Sequence, residues 1–193
     1  MQAHEHDVII VGGGPAGLFA GHYLAAHSDL RVLLLEKGKP PHKRACPMNP
    51  STACRQCTPC DVLCGIGGAG LFSDGKLNFI PKLGKTDLTQ FMPLADAQSL
   101  IQETESIFDA FSMTGPVFPT DFQQARELRK NARKHGIELL VIRQKHLGSD
   151  RLPEYIVRMQ EKLESKIRIH TCEPVTDVIA EASGQFRVAT EKS

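Results

Sequence analysis

Residues Asp7 to Gly38 read DVIIVGGGPAGLFAGHYLAAHSDLRVLLLEKG, and the punctuation of that stretch decides the fold. Val8 to Val11 is a short unbroken aliphatic run, the pattern of a parallel strand buried on both faces. Gly12, Gly14 and Gly17 follow in G-x-G-x-x-G spacing, with Gly13 inside the turn. Pro15 suits the first turn of a helix, where its missing N–H has no intrahelical partner to lose. Ala16, Ala20 and Leu24 recur every fourth residue and predict a helix with a narrow face on the sheet, ended by Asp29. Arg31 to Leu35 reads as a second buried strand that delivers Glu36, followed by Lys37, to its carboxyl end.

Each glycine has a mechanical role in such a unit. Gly12 allows the tight turn, Gly14 lets the backbone approach a pyrophosphate, and Gly17 lets the helix lie close to the sheet. The helix aims its first N–H groups and its positive dipole end at the phosphates. A carboxylate at Glu36 accepts hydrogen bonds from an adenosine ribose and repels a 2′-phosphate, which favours FAD or NAD over NADP. On this reading, replacing Glu36 by Arg weakens cofactor binding and leaves the fold intact. The stretch resembles the amino-terminal FAD-binding motif of the glutathione-reductase-like flavoproteins.

The 193 residues suffice for one domain with a real core, and 41% of them are hydrophobic. The net charge of +1, with no basic cluster interleaved with aromatics, gives no footprint for nucleic acid. No apolar run approaches a membrane span and the start lacks the regions of a secretion signal, so a soluble cytoplasmic protein is expected. Six cysteines in a reducing compartment argue against structural disulfides, and five of them lie between Cys46 and Cys64.

Those five fall in an irregular segment from Lys39 to about Leu83. Cys54, Cys57, Cys60 and Cys64 have the C-x2-C-x2-C-x3-C spacing of ferredoxin-type ligation, although Gly65 stands where a proline usually follows. Three readings stay open. Cys54, Cys57 and Cys60 with Cys46 or Cys64 could hold zinc or an iron–sulfur cluster. Cys57 and Cys60 could form a redox-active dithiol, or the thiols could be unliganded loop residues.

GIGGAGLFSDGKLNF, Gly65 to Phe79, comes next. Gly67, Gly68 and Gly70 expose backbone N–H groups that form an anion nest and could wall a flavin or its pyrophosphate. Together, DVIIVGGGPAGL, Cys46-Pro47, the cysteine run, GGAG-x-FSDGKL and HLGSD at His146 to Asp150 resemble a family of bacterial FAD-dependent dehydrogenases of largely unassigned substrate. The resemblance implies an FAD cofactor, redox chemistry with no named substrate, and a longer protein. On this reading the flavin exchanges hydride with an unknown small-molecule substrate or with NAD(P)H as electron donor or acceptor. It also gives His146 an acid/base or substrate-contact role.

Further along, Pro93 to Phe111 has helical spacing, and Thr120 or Asp121 can cap a helix that stops at Gly136. Ile137 to Ile142 reads as a strand, Leu152-Pro153 opens another helix, and Ile167 to Thr171 reads as the third parallel strand. In the resembling flavoproteins the next segment begins with a residue whose backbone contacts adenine, here Val175. Val178-Ile179 and Phe186 to Val188 form a hairpin of a crossing sheet.

The expected fold is α/β: a Rossmann-like FAD/NAD(P)-binding parallel sheet, inserted helices, and part of a small antiparallel crossing sheet. Residues 1–38 form the βαβ motif, 39–85 the Cys/Gly-rich loop, 86–150 the helical insertion and 151–193 the return to the sheet. The resembling flavoproteins continue into a substrate domain and return with a strand that holds the ribityl chain. A missing C-terminal part of the same protein is therefore expected as partner. The rival classes are a non-catalytic NAD/FAD-binding module and a structural metal-binding module.

Overall fold

The computed structural model describes residues 5–192. In chain order the elements are β1 (Val8–Val11), α1 (Pro15–His27), β2 (Val32–Glu36), β3 (Lys76–Asn78), β4 (Lys82–Leu83), β5 (Thr86–Asp87) and α2 (Leu94–Ala110). They continue with β6 (Val117–Phe118), α3 (Phe122–Lys134), β7 (Gln144–His146), α4 (Leu152–Glu164), β8 (Arg168–Thr171), β9 (Val175–Ala180) and β10 (Phe186–Thr190). The chain forms two units, residues 74–151 and the discontinuous remainder on either side of them.

In the discontinuous unit, β1, β2 and β8 form a parallel sheet in that order, with Val8 opposite Val32 and Leu33 opposite Arg168. β2 is the central strand and all five of its residues are buried, which is why its sequence is an apolar run without alternation. β1 departs from the expectation. It is only half-buried and Val11 is 56% exposed, because β1 pairs on one side alone among the described residues. The expected third strand is present as β8, while β9 and β10 form a separate antiparallel hairpin.

The face of α1 also differs from the periodicity. Leu18 and Gly21 are buried, whereas Ala16 and Ala20 are exposed. Glycine packing governs the choice: a Cβ at Gly17 would lie 1.9 Å from the Gly12 carbonyl oxygen, and one at Gly21 would lie 3.0 Å from Ile167. The helix rolls until its glycines meet the sheet, leaving the alanines outside. It ends at His27, one residue before the cap Ser28, whose N–H and hydroxyl both donate to the Leu24 carbonyl. α4 contributes Leu152, Tyr155, Met159 and Leu163, a buried stripe at spacings of three and four residues. Each such side chain stabilises the core by about 1.5–3 kcal/mol.

In the unit of residues 74–151, β3, β7 and β6 form an antiparallel sheet and β4 pairs with β5. Asp121 caps α3 by accepting from the N–H groups of Gln123 and Gln124, and Gly136 follows the helix at φ 72°. The expected strand at 137–142 does not form; the strand begins only at Gln144. Leu139 to Ile142 instead line an open apolar hollow with Phe118 and Leu128, and Leu139 and Leu140 stay exposed.

Candidate functional site

The glycine turn lies at the carboxyl ends of β1 and β2, where open α/β sheets bind ligands. A hollow of about 490 Å³ at the opposite ends of the strands, lined by His6, Arg31, Lys166 and Arg168 among others, lacks this architecture. Gly12 leaves the strand at φ 106°, donating its N–H to the Leu35 carbonyl at 2.7 Å. α1 begins at Pro15 with no side chain capping its N-terminus, so its first-turn N–H groups remain for a ligand. A Cβ at Gly14 would meet nothing within 4 Å. That open space in front of an uncapped helix fits a pyrophosphate.

Glu36 is 5% exposed and holds three stretches of chain together. Its Oε2 accepts from the Gly13 N–H at 2.7 Å, and its Oε1 accepts from Gly38 at 2.7 Å and Gly65 at 2.9 Å. The expectation that Glu36→Arg would spare the fold is therefore wrong: it would strip three buried amides of their acceptor. A carboxylate has about four acceptor positions, which leaves one for a ribose hydroxyl. Lys37 beside it is exposed.

The glycine-rich segment closes on the turn. Gly67 donates its N–H to the Gly13 carbonyl at 2.8 Å, and a Cβ at Gly68 would lie 3.2 Å from Gly14 Cα and Pro15 Cδ. Gly65, Gly67 and Gly68 have φ of 115°, 90° and 59°, conformations open to glycine. Gly70 is exposed. The link before Val175 also joins this region: Cys172 donates to the Gly38 carbonyl at 2.8 Å and Glu173 to the Glu36 carbonyl at 2.9 Å, and Val175 then opens β9.

Arg44 was not singled out from the sequence. It is 7% exposed, and its guanidinium donates to the carbonyls of Asp61, Val62, Ile66 and Gly68, each at 2.9 Å. Burial pulls its pKa down, while Glu36 and Asp61 support the charge. The only sequence signal was a third basic residue in His42-Lys43-Arg44, which nothing distinguished from its two exposed neighbours.

The cysteines do not assemble as a metal centre. Among the described residues no group of three His, Cys, Asp or Glu side chains is placed to hold a metal ion. Cys46, Cys54 and Cys57 are exposed free thiols, and Cys60 and Cys64 are free and partly sheltered. The run lies in an irregular, largely exposed segment. Only Cys60 and Cys64 share a turn, with the Cys64 N–H donating to the Cys60 carbonyl at 2.8 Å. Among the described residues these side chains form no zinc or iron–sulfur site.

His146 ends β7 and is exposed, with Nε2 3.0 Å from the Asp74 carbonyl. Since a carbonyl only accepts, Nε2 is the donor in this bond, and in the neutral ring Nδ1 is then the acceptor. β3 pairs with β7, and a Cβ at Gly75 would lie 2.9 Å from the Gly148 carbonyl oxygen. Residues 74–77 of the first motif and the HLGSD motif therefore meet within this unit, with Asp74 and His146 72 residues apart along the chain.

Comparison with known proteins adds three kinds of likeness. Residues 1–41 match the Thi4 family. Thiamine thiazole synthase of Methanococcus aeolicus is 57% identical over 37 residues, which are 19% of this chain and 14% of that protein. Glycine oxidase from Geobacillus kaustophilus superposes with TM-score 0.52 at 17% identity, over 98% of this chain and 52% of that one. L-α-glycerophosphate oxidase from Mycoplasma pneumoniae, solved with FAD bound, gives 0.50 at 17%, over 99% and 51%. L-amino acid deaminase from Proteus vulgaris gives 0.51 at 15%, over 99% and 45%.

The chain has a Rossmann-like fold, which it shares with glycine oxidase and with the FAD-bound L-α-glycerophosphate oxidase. The matches reach that breadth and do not single out the glutathione-reductase-like subfamily. The chain spans about half the length of these solved structures.

Proposed function

We propose that this chain is the FAD-binding part of an FAD-dependent oxidoreductase that oxidises or reduces a small-molecule substrate. The observation that carries the reading is the closed constellation around Gly14: an uncapped α1, open space where a Cβ would stand, and the segment of Gly65 to Gly70 seated alongside. The α1 N-terminus and the backbone at Gly12 to Gly17 would hold the pyrophosphate, and Glu36 would accept one ribose hydroxyl. Val175 would present its backbone to the adenine, as in the flavoproteins the sequence resembles. Bound FAD would supply the hydride acceptor; the protein supplies binding and orientation. NAD(P)H as electron donor or acceptor, and His146 as acid or base through Nδ1, belong to the same proposal.

Purified protein is expected to show flavin absorption bands or to take up FAD in a fluorescence titration. Gly14→Val should lower that affinity at least roughly tenfold. Equal FAD affinity in wild type and Gly14→Val, or tight NAD binding with no uptake of FAD, would reject the assignment.

A further inference from the structure

Arg44 brings a positive charge into a buried place where its donors meet main-chain carbonyls. Nε reaches Asp61, Nη2 reaches Val62 and Nη1 reaches Ile66 and Gly68, all at 2.9 Å, while the guanidinium lies over Phe72 at 5.1 Å. A planar fork of five N–H groups can serve several carbonyls at once; a lysine ammonium on a flexible stem cannot copy that geometry. The same segment is gripped through its N–H groups from elsewhere: Gly65 donates to Glu36 at 2.9 Å and Gly67 to the Gly13 carbonyl at 2.8 Å.

Such double gripping answers a local difficulty. Gly65, Gly67 and Gly68 all have positive φ and no side chains with which to hold themselves. Glycine loses more backbone freedom on ordering than any other residue, so the segment needs bonds from outside. Glu36 supplies the acceptor and Arg44 the donors. The result is Gly68 held against Gly14 and Pro15, the residues that face the pyrophosphate on the FAD reading.

We infer that Arg44 is a positioning residue of the dinucleotide site, fixing the segment of residues 61–68 over the glycine turn through its carbonyls. The inference deepens the FAD reading and rests on it, yet the clamp has its own readout without cofactor. Hydrogen exchange followed by mass spectrometry on the 193-residue protein reports protection of residues 61–68, and flavin fluorescence reports FAD affinity.

Arg44→Ala should exchange faster in this segment and bind FAD roughly 10- to 100-fold more weakly, the scale of a few lost charge-assisted bonds. Arg44→Lys should fall between it and wild type. Millimolar ethylguanidinium should restore both readouts in Arg44→Ala and change neither in wild type. Gly14→Val should lose FAD while residues 61–68 stay protected, so failure of the FAD reading appears there and failure of the clamp in the exchange data.

Wild-type protection in Arg44→Ala, unchanged FAD affinity despite lost protection, or a defect that ethylguanidinium leaves untouched would overturn the inference. If Arg44→Ala does not fold, Arg44→Lys decides: wild-type protection and affinity overturn it, and a partial loss of both upholds it. Wild-type protein that takes up no FAD rejects the positioning role along with the cofactor reading.

Discussion

At the scale of single residues, Gly14 and Gly17 sit three positions apart and should respond oppositely to substitution. A side chain at Gly14 enters open space, so Gly14→Val should change stability by no more than about 0.5 kcal/mol while displacing the ligand. At Gly17 the new Cβ would overlap the Gly12 carbonyl 1.9 Å away, forcing helix and strand apart. Gly17→Ala should therefore cost about 1–3 kcal/mol in urea unfolding before any ligand is added; a wild-type unfolding midpoint would contradict that packing. Glu36→Gln tests the three-amide acceptor with almost no change of shape. Its NH2 would face a backbone donor, and a loss of about 1–3 kcal/mol is expected in cofactor-free protein. The turn built on Gly12, Gly14 and Gly17, with Glu36 at the end of β2, was legible in the sequence because that spacing is what makes the turn. Arg44 was not, because it binds main-chain carbonyls, which every residue carries and no residue type announces.

At the scale of elements, the first βαβ unit was legible because strand, turn and helix each have a local cause within 30 residues or so of chain. What failed depended on distant chain: the roll of α1, the exposure of β1, and the absent strand at 137–142. The cysteine spacing matched a ligand pattern, but spacing records distance along the chain and not whether the thiols converge on one point. The entry to β1 offers a pH test. Asp7 accepts from the Arg31 backbone N–H at 2.7 Å and pairs with its guanidinium at 2.9 Å, tying the starts of β1 and β2 together. The side-chain bond to Arg31, then the backbone bond, lowers the Asp7 pKa from 3.8 to about 2. A carboxylate depressed on folding stabilises fully above its unfolded pKa and loses that contribution as pH falls through the folded one. The advantage of wild type over Asp7→Asn in thermal unfolding should thus be constant above about pH 5 and vanish toward pH 2. An advantage that persists unchanged at pH 2 would show that the pair contributes through something other than charge.

At the scale of the molecule, the parallel sheet has an asymmetry that its sequence does not explain. β2 is buried throughout, yet β1, with the same aliphatic composition, pairs on one side only among the described residues and leaves Val11 56% exposed. A parallel strand of this composition belongs between neighbours, and an open edge with apolar side chains invites pairing with other chain. The solved structures that share the fold are about twice as long as the part this chain matches. We propose that further polypeptide of the same protein covers the β1 edge and completes the cofactor enclosure. Residues 1–193 alone should then self-associate with rising concentration in sedimentation velocity, and Val11→Lys should suppress that association by placing a charge on the edge. If the reading frame continues, the longer form should be less prone to associate and should bind FAD more tightly than the short one by at least roughly tenfold, with substrate-dependent bleaching of the flavin. A short form that remains monomeric, keeps one FAD per chain and turns over substrate would show that the sheet needs no further strand.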